Sequence, residues 1–241
     1  MADNKQQQAT EFTNPTANTA APDQNLSAET LSNEGNLWTK YQNIILGAII
    51  GIAVIGGGYF YLQISNEEKD KEAQELLFRS VYAFEADSLE KALNGKGTNE
   101  PGFLKIVDEY SGTDAANQAN FYIGAIQLKK GKFAEAIEAL SNFKSNDFLV
   151  QARAYCLIGD AYLEQKNYAE AEKFYSKASD YYPNERFTPA YLTKLALTQE
   201  LNNNLTEALS TYERIVTKYP LSADVMEAKK AKAKLEAATA E

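Results

Sequence analysis

Tyr155 to Pro183 reads YCLIGDAYLEQKNYAEAEKFYSKASDYYP, and the order of small and large residues along it decides the fold. Gly159 and Tyr162 lie on one helical segment, Ala171, Tyr175 and Ala178 on a second, and Pro183 closes the unit. Two antiparallel helices meet most closely where Gly or Ala sits. Gly159 and Ala171 therefore mark the contact, and the rings of Tyr162 and Tyr175 fill the space beside it. The slots recur 37 residues later at Ala196, Ala208, Tyr212, Ile215 and Pro220. They also recur 35 residues earlier at Gly124, Ala136, Leu140 and Phe143, with Phe148 in the proline slot. Ser111, a further 37 residues back, marks a divergent first unit. The turns keep the same phase. Asn167 with Glu170, and Asn204 with Glu207, stand as N-cap residue and first-turn acid of each second helix. In this register Ala171 faces the helix contact and Glu172 faces solvent.

These spacings resemble the tetratricopeptide repeat. The resemblance implies an all-α solenoid whose first helices line a concave face that binds peptides or partner proteins. On this chain that face holds Phe121, Ala125, Leu128, Arg153, Cys156, Asp160, Leu163, Thr193, Leu197 and Glu200. The chaperone-tail clamp of some such arrays uses Lys and Asn where this chain has Phe121 and Ala125, so apolar segments of a partner suit the face better than C-terminal carboxylates.

Outward from the repeats, Ser222 to Ala238 (SADVMEAKKAKAKLEAA) reads as a capping helix with Ser222 as its N-cap. On the other side, Glu72 to Leu93 carries apolar residues at helical spacing and reads as one amphipathic helix. Asn94 to Gly102 (NGKGTNEPG) breaks it, and a shorter helix runs from Phe103 to Tyr110. The run Gly95-Lys96-Gly97-Thr98 is not a phosphate loop, because Glu90 stands in the first glycine slot and no strand precedes it.

Ile44 to Leu62 (IILGAIIGIAVIGGGYFYL) contains no charge and reads as one membrane span. At roughly 1.5 Å per residue it reaches about 28 Å, close to the hydrocarbon thickness of a bilayer. Trp38, Tyr41, Tyr59, Phe60 and Tyr61 flank it, as aromatic residues do at headgroup depth. More than forty mostly acidic and amide residues precede it, unlike the short basic start of a cleaved signal peptide. The one cysteine, Cys156, is too distant to be a lipidation site. Gly47 and Gly51 form a GxxxG pair, which predicts a membrane face for a partner helix. The segment before the span is rich in Ala, Asn, Gln and Thr without apolar periodicity, and reads as a disordered tail.

The net charge of −9 argues against nucleic-acid binding. The chain has no His, which removes the commonest acid–base residue and metal ligand. No nucleophile has a base partner, and no metal-ligand cluster or cofactor cradle is evident. An enzyme, a cofactor, a metal and a small-molecule substrate are therefore not expected. Cys156 reads as a small packed hydrophobe.

The layout is a tail at 1–36, a span with flanks at 37–65, a long helix and divergent repeat at 66–115, three repeats at 116–222 and a cap at 223–241. It resembles the single-span, inner-membrane tetratricopeptide proteins that accompany the bacterial SecY translocon and a membrane-anchored periplasmic prolyl isomerase-like chaperone. That resemblance implies a cytoplasmic tail, periplasmic repeats and an adaptor or chaperone role. A weak count points the other way: Lys40 precedes the span, whereas Lys69, Lys71 and Arg79 follow it. The alternatives are a scaffold for outer-membrane assembly or cell-wall division, or a receptor with its repeats in the cytosol.

Overall fold

Each turn between paired helices is built in the same way, and those turns identify the repeats more directly than the packing slots do. The computed structural model describes residues 26–97 and 100–239, which are helical apart from turns and one antiparallel bridge between Gly95 and Pro101. The chain divides into two units, residues 1–60 and 61–241. Helix α1 (Leu26–Glu85) contributes to both.

In the first unit, the stretch Tyr41–Phe60 is long and apolar enough to cross a membrane, and none of it is buried. Ile52, Val54 and Ile55 are each about 70% exposed, a large apolar area to leave against water. The tail expected at 1–36 is corrected at its end, because the helix already begins at Leu26. Once the apolar stretch has nucleated a helix, each added residue gains a backbone bond at little entropic cost. The rest of that expectation, residues 1–25, lies outside the described residues.

In the second unit the end of α1 is followed by α2 (Leu89–Asn94), α3 (Phe103–Glu109), α4 (Asp114–Lys129) and α5 (Phe133–Asn142). Then come α6 (Phe148–Glu164), α7 (Tyr168–Tyr181), α8 (Thr188–Leu201), α9 (Leu205–Lys218) and α10 (Val225–Thr239). From α2 onward, helices adjacent in sequence pack on one another, as in a solenoid. The slots behave as the spacing requires: Ala136, Ala171, Ala196 and Ala208 are fully buried, and Leu140, Tyr175 and Tyr212 are buried beside them. One detail differs. A Cβ on Gly159 would lie 2.8 Å from the Tyr175 ring, and one on Gly124 would lie 2.4 Å from Leu140 Cγ. The glycine thus makes room for the large side chain of the second helix rather than for its alanine.

The helix expected from Glu72 to Leu93 is two helices. Asp87 adopts φ 54°, its N–H donates to the Phe84 carbonyl at 3.0 Å, and the Ser88 N–H donates to the Ala83 carbonyl at 2.9 Å. This pair of bonds, closing a helix through one left-handed residue, recurs at Gly131, Lys166 and Asn203. The end of α1 and α2 are therefore the two arms of the divergent first repeat. Asp70 ties that repeat to the next, its carboxylate accepting from the Ala115 N–H at 2.9 Å while Thr113 caps α4 through the Ala116 N–H. These caps start α4 at Asp114, two positions before the expected boundary.

Two further expectations change. Ser222 does not cap α10, which starts at Val225. Its hydroxyl is instead buried without a hydrogen-bond partner among the described residues, and the Ala228 N–H is bonded to the Asp224 carbonyl. Asn167 does cap α7 through the Glu170 N–H, but the Asn204 side chain gives α9 no such bond. The Asn204 amide donates instead to Glu172 at 3.0 Å, and Asn202 donates to the same carboxylate at 2.7 Å. Glu172 is thus a half-buried bridge to the next repeat, not a free solvent-facing side chain. Glu172→Ala is expected to destabilise residues 66–241 by about 1 kcal/mol, with Glu172→Gln recovering part of the loss. Thermal melts of both variants check this, and an unchanged midpoint for Glu172→Ala would show that water replaces the carboxylate at no cost.

Candidate partner-docking face

The first helices α4, α6 and α8 share a cleft of about 740 Å³. Phe121 and Tyr122 come from α4, Leu149, Val150 and Arg153 from α6, and Ala190 and Tyr191 from α8, with Phe187 just before it. Phe143 and Tyr191 are buried in its floor, while Leu149, Val150, Phe187 and Ala190 are exposed. Local structure explains the exposure. Asp147 caps α6 by accepting from the Leu149 and Val150 N–H groups at 2.8 and 3.2 Å, which fixes the start of the helix and turns these two apolar side chains outward. Asn117 holds the other rim, its amide donating to the Lys144 carbonyl at 2.7 Å and its carbonyl accepting from the Lys144 N–H at 2.9 Å.

The residues expected on this face are not all in one place. Phe121 and Arg153 line the cleft. Ala125 and Leu128 are half-buried with Phe121 against Leu140, Phe143 and Ile158. Leu128, Asp160 and Leu163 line a second recess of about 470 Å³ beside Lys194. Thr193 is half-buried, its hydroxyl donating to the Pro189 carbonyl at 3.0 Å. Leu197 is 50% exposed on α8.

The two expected carboxylates are already partnered. Asp160 accepts from the Tyr175 hydroxyl at 2.7 Å and from Lys194 Nζ at 2.5 Å, and Glu200 accepts from the Tyr212 hydroxyl at 2.6 Å. Burial, and then the neighbouring carboxylate, raises both phenols well above the ordinary tyrosine range. Asp160 and Glu200 thus tie the second helices of their repeats to the first, and Asp160 also reaches α8 of the next repeat. Cys156 is fully buried, and burial pushes its thiol up to about 12, so it packs as a hydrophobe. Leu149, Val150 and Phe187 were missed because they precede the periodic part of the repeat, whereas Ala190 occupies the slot of Arg153 one repeat on and was within reach of the pattern. For Leu149 and Val150 the available signal was the Asp147 cap before an apolar run.

Gly47 and Gly51 lie in the other unit, and a Cβ at either would meet nothing within 4 Å. Among the described residues, no group of three or more His, Cys, Asp or Glu is placed to hold a metal ion.

Paired helices in phase, with an apolar cleft on their first members, define an α-solenoid with a candidate docking groove. Residues 150–220, which cover nearly all of α6 and all of α7 to α9, match the family model described as Tetratricopeptide repeat. Repeats of this kind are generally non-catalytic protein-interaction modules. No curated protein matches the chain significantly.

Proposed function

We propose that this chain is a membrane-anchored tetratricopeptide adaptor that works beside the bacterial SecY translocon and receives partner or exported chains on the periplasmic side of the inner membrane. One observation carries the reading: the same chain has an apolar helical stretch at Tyr41–Phe60 and an apolar cleft on its first repeat helices, neither covered by the described residues. A bilayer would cover the first, and a segment of another protein the second. The open space beside Gly47 and Gly51 favours close approach of a second membrane helix. Two weak contacts on one chain reinforce each other, because engaging one raises the effective concentration at the other to about the millimolar range.

The expected topology is a reporter fused after Glu241 that is active in the periplasm, and activity confined to the cytoplasm would end the translocon reading. Copurification from gently solubilised membranes is then expected to recover SecY and a membrane-anchored periplasmic chaperone. Gly47→Ile with Gly51→Ile is expected to reduce that recovery while the repeats stay folded. A second reading rests on Lys69, Lys71 and Arg79, whose position after the apolar helix favours repeats in the cytoplasm. The same reporter separates the two. A periplasmic reporter with other envelope proteins in place of SecY would make the chain a scaffold for another complex.

A further inference from the structure

The cleft is apolar but not neutral. Lys144 and Arg153 line it against the single carboxylate of Asp114, on a chain whose net charge is −9. Asp114 sits in the first turn of α4, where the helix dipole already favours its charge. Arg153 is exposed, and among the described residues it takes part in no ion pair. Its charge is felt inside the cleft. Burial raises the Tyr191 phenol in the cleft floor, and the Arg153 charge acts against that rise without cancelling it. The cleft volume of about 740 Å³ is that of a site for a small ligand or a few side chains.

We infer that the cleft selects a short acidic peptide segment, with one carboxylate side chain seated against Arg153 and Lys144 and flanking apolar side chains seated on Leu149, Val150 and Phe187. The inference rests on the proposed reading of the first helices as the docking face, and it specifies the chemistry of what docks there. An apolar segment without a carboxylate would leave the Arg153 charge partly desolvated and unpaired, which costs binding energy. A basic segment would add like-charge repulsion. The guanidinium presents a planar fork that suits a carboxylate in two-point contact.

The test is selection of a random-peptide phage library on the full chain in lipid nanodiscs, with empty nanodiscs removing peptides that bind lipid. Selected peptides are expected to carry Asp or Glu beside Phe, Leu or Val. Arg153→Glu is expected to reverse the charge preference and to weaken the best acidic peptide roughly tenfold or more, the fold-change of losing a charge-assisted contact. Lys144→Glu is expected to act in the same direction to a smaller extent. Arg153 also reaches the buried Cys156 thiol, so circular dichroism first checks that each variant stays folded. Apolar peptides without charge preference, or acidic peptides indifferent to Arg153→Glu, would overturn the inference and leave the docking face standing. Enrichment of no peptide over empty nanodiscs would overturn both. A second copy of the chain as occupant, seen as a dimer that Arg153→Glu dissociates in sedimentation, would also overturn the inference.

Discussion

Gly95→Ala is expected to destabilise the divergent first repeat by about 4 kcal/mol, from two costs that a single methyl incurs together. Gly95 has φ 76° and ψ −172°, a region that only glycine occupies without strain. A Cβ there would also lie 2.1 Å from the Glu100 carbonyl oxygen and 2.5 Å from the Gly102 nitrogen, both backbone atoms that no rotamer change can move away. Gly102 shows the second cost alone. Its φ of −91° suits any residue, yet a Cβ would meet the Leu93 carbonyl oxygen at 2.3 Å. Gly102→Ala is accordingly expected to cost about half as much. The two glycines let the chain cross itself between α2 and α3, where Lys96 N–H donates to the Glu100 carbonyl at 2.8 Å. Hydrogen exchange on residues 66–241 checks both variants. Protection is expected to fall in α2 to α4 and to persist in α6 to α9, because each unit of a solenoid packs only on its neighbours. Equal protection in Gly95→Ala and wild type would show that the crossing opens in solution.

Ala171→Leu is expected to destabilise the middle repeat by roughly 3 kcal/mol, at the upper end of the range for overpacking. Ala171 has no exposed surface and shares a core with Cys156, Tyr175, Leu192 and Ala208. The Tyr175 ring is held at both ends, by the absence of a Cβ on Gly159 and by the bond from its hydroxyl to Asp160 at 2.7 Å. A larger side chain at Ala171 therefore has no soft neighbour to displace. A thermal midpoint close to that of wild type would mean that the core repacks at little cost. The contrast with Glu172→Ala, one residue along, tests the repeat phase as well: the core substitution is expected to cost about three times the loss at the bridging carboxylate.

The repeat phase was legible because packing one helix on another admits few solutions. Where two helices pack closely only small residues fit, and Gly124, Gly159, Ala171 and Ala208 announce those points without coordinates, although what the two glycines admit is a large side chain of the facing helix. The apolar run around Gly47 and Gly51 was equally legible, since it depends on composition and length alone. What lies between the slots was decided by contacts distant in sequence. Asp160, Glu172 and Glu200 look alike in a helical pattern, yet each is held by a residue 12 to 32 positions away, so none is the free surface carboxylate that the pattern suggests. The left-handed turn at Lys166 repeats the one at Gly131 with a residue that does not signal it. The cleft also takes in Leu149 and Val150, outside the face expected from the repeat slots, although the cap that fixes the start of α6 beside them, Asp147, is local in sequence. Periodicity reports which side of a helix is buried. It does not report where the helix begins or what its polar side chains reach, because those depend on bonds to neighbours that only the folded chain brings together.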